Sequence, residues 1–252
     1  MCCFSRPVDS VSSTKIFARM GEGGRQFLVY TMSLNASEDL AMVLPIPVVP
    51  RLQENAVRFI NLSGYPRFFA EADSGFPAEV FKGSALAGGR HSRSIRPLPV
   101  FHVGNFEASF VPSVNDFLRL DERFRMPPGS LDKLKSCSQF GFAVFKLKPG
   151  MQTLHPMVFE FPTAQPARLY FPTVHIHDGK VHGTALFDHL LYCQTTDGLL
   201  LNLKGWQRSS TAAGGFVDVE KSEGIVLAGD FCYKLELSGF LENKDTFVNV
   251  MS

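Results

Sequence analysis

The spacing of apolar and polar positions reads as sheet through the first third of the chain. Lys15–Met20 and Gln26–Met32 form two apolar-rich runs around the glycine-rich turn Gly21-Glu22-Gly23-Gly24, and Leu40–Leu44 continues the pattern. Pro45, Pro47 and Pro50 follow that third run and predict an edge strand or an extended exit. Farther on, Val100–Val111, Phe140–Lys148, Met157–Phe161 and Arg168–His177 predict strands, as do short runs near 215–219, 224–228 and 232–238. Helical spacing is confined to Ser113–Leu120, which opens on a capping serine, and to Ser130–Cys137. Loops are predicted at 82–97 and 207–214, where Gly, Ser and Arg accumulate. These elements predict an α+β fold with strands dominant, in mixed or antiparallel sheets. They form a single domain over residues 1–252, with 82–97 as the place for a two-lobed split.

Composition narrows the function classes. A 45% hydrophobic and 19% charged chain of 252 residues is that of an ordinary globular protein able to bury a core. Its net charge of +1 supplies no global field for nucleic acid or an anionic membrane. Met1-Cys2-Cys3-Phe4-Ser5-Arg6-Pro7 lacks the basic and apolar regions of an export signal, and the longest apolar run, Leu40–Pro50, is too short to span a bilayer. The five cysteines are odd in number, which predicts free thiols in a reducing cytoplasm rather than a disulfide framework.

The densest candidate chemistry is histidine. Four of the seven histidines fall within residues 175–189: His175, His177, His182 and His189. His175 and His177 alternate along a strand and so leave the same face. Asp178-Gly179 is a favoured two-residue hairpin pair, which would set His182 opposite His175. Three imidazoles on one face suit copper or zinc, with a coordination position left for water, a small-molecule substrate or a thiolate. Cys2 or Cys3 could supply that thiolate, and His189 a further ligand, with Asp188 orienting an imidazole. Such a site would serve a metal-dependent oxidoreductase or hydrolase. The loop cations Lys82, Arg90, Arg93 and Arg96, beside His91, could receive an anionic substrate or partner, but a solvated loop is the better explanation of them. A non-catalytic interaction module needs none of this chemistry.

Two resemblances bear on these expectations. Leu28–Pro50 (LVYTMSLNASEDLAMVLPIPVVP) resembles the signature of the bacterial family catalogued as domain of unknown function 2330, whose members carry an EDFAWVLPVP-like segment after a cysteine-containing N terminus. Val103-Gly104-Asn105-Phe106 and Gly141–Leu147 (GFAVFKL) resemble that family's later blocks. The match covers roughly residues 2–175. It implies a shared fold and no particular chemistry. The Met1-Cys2 start also resembles N-terminal-nucleophile amidohydrolases, which implies Cys2 as nucleophile with its own amine as base. Arg19 falls where the bile-salt-hydrolase branch keeps an arginine, but Gly21-Glu22 stands where an aspartate would follow.

Overall fold

A run such as Leu40–Ile46, apolar at every position, is stable as a strand only if both of its faces are covered. The computed structural model shows how that is done; it describes residues 2–76, 98–104, 106–120, 139–176, 182–195, 200–201 and 204–250. The strands are β1 (Cys2–Phe4), β2 (Ser10–Met20), β3 (Arg25–Ala36), β4 (Leu40–Ile46), β5 (Arg58–Asn61), β6 (Phe101–Val103), β7 (Phe106–Val111), β8 (Gly141–Leu147), β9 (Gly150–Thr153), β10 (Met157–Pro162), β11 (Arg168–Phe171), β12 (His175–Ile176), β13 (Thr184–Gln194), β14 (Leu200–Leu201), β15 (Gln207–Ala212), β16 (Phe231–Glu242) and β17 (Thr246–Val250). One α-helix, α1 (Phe68–Ser74), lies between β5 and β6. The architecture is therefore mostly β rather than α+β. The segment expected as a helix at Ser113–Leu120 is a 3₁₀ turn over Val114–Arg119, and Ser130–Cys137 lies outside the described residues.

One sheet runs in the order β12-β1-β4-β8-β7-β6; the other runs β15-β16-β13-β2-β3-β10-β5, with β9 also on β3. A small sheet, β11-β17-β14, completes the set. Alternation assigns each strand's side chains to two different cores. On β4, Leu40, Met42, Leu44 and Ile46 enter the central core, where they meet Leu28, Tyr30 and Phe159 of the second sheet. Ala41 and Val43 face the other way, into a cluster with Cys3, Val111, Phe142 and Ile176. On the far side of the second sheet, Phe17, Val29 and Tyr192 pack under Phe68, Phe69 and Ala72 of α1. Helix α1 thus exists because it covers an apolar sheet face, since seven residues cannot hold a helix alone.

The prolines do not put β4 at an edge. It lies between β1 and β8. The proline rule holds locally instead: β1 pairs only with Val43 and Met42, so Pro45, paired with Phe142 of β8, sits beyond the reach of β1. The C-terminal third differs more. The expected loop at 207–214 is mostly β15, whereas 215–219 and 224–228 are turns whose apolar residues Val217, Ile225 and Val226 pack beneath α1's cluster. The expected 168–177 strand divides into β11 and β12, which belong to different sheets.

His155 marks where the fold is sensitive to pH. Its ring lies against Phe106, with centroids 4.1 Å apart. Burial lowers its pKa below the ordinary value, and the Nδ1 hydrogen bond to the Pro156 carbonyl only partly opposes this. A histidine held neutral in the fold costs nothing above the unfolded-state pKa; below it the unfolded chain takes up the proton first, so stability falls with pH. Urea midpoints measured from pH 7.5 downward are expected to decline less steeply for His155→Phe than for the native chain; equal slopes would contradict this.

Candidate functional site

β12 and β13 belong to opposite sheets, and each turns one histidine inward. On β13, Phe187 and His189 alternate in step with Leu191 and Cys193, which line the central core. On β12, Ile176 faces the outer cluster, so His175 faces the core side. The two imidazoles meet there. Their Nε2 atoms are 3.1 Å apart and the rings stack with centroids 4.7 Å apart. Phe187 closes one side, 4.6 Å from the His175 ring and 5.2 Å from that of His189. His189 is 2% exposed and His175 partly buried. The Asp188 carboxylate lies 3.7 Å from His189 Nδ1.

The backbone around His175 is clamped from one direction. Asn243 Oδ1 accepts from the His175 N–H at 2.8 Å, while Asn243 Nδ2 donates to the carbonyls of His175 and His182, both at 3.0 Å. Asp245 accepts the N–H of Val174 with one oxygen and the Tyr170 hydroxyl with the other. His175 therefore takes its position from the stretch just before β17, far away in sequence. On its other flank lies the N-terminal strand: β1 runs parallel to β12, pairing Cys2 with His175 and Cys3 with Ile176.

Of the candidate ligands, the described side chains fall in different places. His175 and His189 are brought together, and the register places Cys2 beside His175. Cys3 is fully buried on the opposite face, among Val43, Phe142 and Ile176. His182 is exposed, although its carbonyl shares Asn243 with His175. His177 and the Asp178-Gly179 turn lie outside the described residues, and among the described residues no three His, Cys, Asp or Glu side chains form a metal-binding group. Asn243 is the residue the sequence reading missed; only the fold carries it to His175.

Two neutral imidazoles at this separation can do one of two things. One Nε2–H can donate to the other ring's lone pair, or both lone pairs can point at a shared ion. Tetrahedral zinc with Zn–N near 2.0–2.1 Å holds its nitrogens about 3.3 Å apart, close to the spacing seen here.

The other flagged groups have structural surroundings. Cys2 stands in the first sheet and Arg19 in the second. Arg19 donates to the carbonyls of Ile225, Gly224 and Met20 and lies over the Phe27 ring. Burial pushes the Cys232 thiol up to about 12 and raises that of Cys193 as well, which makes neither a ready nucleophile. The loop cations at 82–96 lie outside the described residues. Among the described residues no helix is long and apolar enough to cross a membrane.

No family model and no curated protein matches the sequence. Solved structures do match. The crystal structure of baculovirus P35 superposes with a TM-score of 0.52 at 15% identity, covering 96% of this chain and 97% of that one. P35 in the crystal structure of the caspase-8/P35 complex gives a TM-score of 0.50 at 14% identity, with 96% and 97% covered. The chain has the P35 fold over nearly its whole length.

Proposed function

We propose that this chain is a non-catalytic interaction module whose partner is a caspase-type cysteine protease. The reading is supported by one observation above the others: the likeness to P35 takes in almost all of both chains, and the same fold is seen bound to caspase-8. The chain's own chemistry agrees with this. Cys3, Cys193 and Cys232 are buried, and its candidate arginine is committed to backbone carbonyls. The test is a titration of active caspase-8 with the purified chain, followed with a peptide substrate. Activity is expected to fall towards zero near stoichiometry; full activity in the presence of a large molar excess would overturn the proposal.

A second reading is favoured by a specific observation, the 3.1 Å between His175 Nε2 and His189 Nε2. Here the pair, with Cys2 as third donor, holds a copper or zinc ion that ties the two sheets together. Elemental analysis of untagged protein is then expected to give about one equivalent of metal, lost in both His175→Ala and His189→Ala. A native chain with less than about a tenth of an equivalent would retire this reading and leave the imidazoles as a hydrogen-bonded pair.

A further inference from the structure

At the ends of β2 and β13 the chain forms a cavity of about 290 Å³. Arg19 and Gln194, paired across the β2–β13 ladder, line it from the second sheet. Leu169 of β11 and Val250 of β17 line it from the small sheet, and Leu227 and Asp230 from the turn before β16. Gln194 fixes that turn. Fully buried, it donates from Nε2 to the carbonyls of Leu227 and Asp230, at 2.5 and 3.1 Å, and accepts the Leu227 N–H at 2.8 Å. The Asp230 carbonyl also accepts the Ala213 N–H. The backbone that carries Leu227 and Asp230 is therefore set in place before any ligand arrives.

Two opposite charges share this cavity without touching. Arg19 spends three of its five N–H groups on the carbonyls of Ile225, Gly224 and Met20, and lies over the Phe27 ring. Two N–H groups remain. The Asp230 carboxylate is near enough to raise the Arg19 pKa through space, yet no ion pair joins the two. Asp230 is half-buried, and among the described residues its carboxylate accepts no hydrogen bond. A partly desolvated carboxylate without a donor is costly. Beside it stands Leu227, 46% exposed although its backbone is held at both N–H and carbonyl.

We propose that this cavity binds a free α-amino acid with an apolar side chain of leucine or phenylalanine size. Its carboxylate lies on Arg19, its ammonium on Asp230, and its side chain against Leu227, Leu169 and Val250. The pair of charges selects this class. A simple anion would find the guanidinium but lie beside Asp230, and a simple cation would find Asp230 but lie beside Arg19. A ligand whose two charges flank a single carbon satisfies both, and a charge-assisted hydrogen bond forms at each end. The volume agrees, because small-molecule sites begin at about 300 Å³ and this one suits a ligand below drug size. The site stands apart from the caspase reading and does not depend on it.

Isothermal titration calorimetry of the full chain with L-leucine and with L-phenylalanine, each carried to about ten millimolar, tests this. At least one of the two is expected to saturate at one equivalent. The matching amine without a carboxylate, and the matching acid without an ammonium, should each bind at least tenfold more weakly. Asp230→Asn should weaken amino-acid binding at least tenfold, and Leu227→Ala at least threefold. The Asp230 side chain holds no part of the fold together and Leu227 is exposed, so both variants are expected to fold as the native chain does; circular dichroism checks it. Saturation by neither amino acid overturns the proposal. So does an amine or an acid that binds as tightly as the amino acid. Native affinity in Asp230→Asn overturns it too, because the ligand would then lie elsewhere.

Discussion

Arg19→Met is expected to destabilise the fold by about 3–4 kcal/mol, the scale for removing a buried charged donor from its acceptors. Arg19 is 8% exposed. Its Nε donates to the Ile225 carbonyl at 2.5 Å, Nη2 to Gly224 at 2.6 Å and Nη1 to Met20 at 3.1 Å. Burial lowers its pKa, with the carboxylates of Asp230 and Glu160 opposing, yet a guanidinium stays charged. The loop it holds needs holding, because Glu223 and Gly224 both adopt positive φ, at 52 and 78 degrees. Methionine fills the volume over the Phe27 ring and donates nothing, so three carbonyls lose a partner. Lysine keeps the charge but not the fork, and its loss should fall between the two. Urea denaturation measures all three; a cost below about 1 kcal/mol for Arg19→Met would mean that water replaces the guanidinium at no penalty.

Phe159→Ala is the second large effect, about 3–5 kcal/mol for a buried aromatic truncated to a methyl group. Its side chain is fully buried. Its ring lies 5.9 Å from Phe145 of the facing sheet, 5.9 Å from Phe161 and 6.1 Å from Phe59, measured between centroids. Removing it opens a cavity where the two sheets meet, and strands held by ladders on both sides cannot close in to fill it. Phe159→Leu keeps most of the volume and should cost much less. Phe240→Ala, where the side chain is 80% exposed, should change stability by about 0.5 kcal/mol at most. Similar losses at Phe159 and Phe240 would contradict the layered arrangement of the core.

The strands that alternation exposes were legible because their two faces fill two different cores. Leu40–Leu44 and Phe140–Lys148 read correctly for that reason. Leu28–Pro50 and Gly141–Leu147 lie largely on β3, β4 and β8, where burial on both faces dictates the residue types. β13 was not legible. TALFDHLLYCQ mixes an exposed outer face with a buried inner one, and His189 and Asp188 hide the period. β15 reads as a loop because QRSSTA is hydroxyl-rich, yet Ser209 is buried and satisfied: its Oγ donates to the Thr211 carbonyl and accepts from the Cys232 N–H. Val217, Ile225 and Val226 imitate strand residues because they pack beneath the cluster that α1 covers.

The histidines show the same limit from the functional side. Local reasoning about a tight turn joined His175 to His182, since a hairpin register is the only long-range pairing a short sequence window contains. The ring that meets His175 belongs to His189, in the other sheet, and Asn243 fixes the backbone between them. Packing between layers has no signature in sequence spacing. Nor does a partner's surface, which is why the likeness of the whole fold carries the functional proposal and the cluster of imidazoles does not.

Native mass spectrometry of the 27.9 kDa chain mixed with active caspase-8 reads the proposed association without relying on turnover. The account predicts a new species at the summed mass of chain and protease, with the free chain depleted as protease is added. Two separate distributions at every ratio, with no joint species, would contradict it.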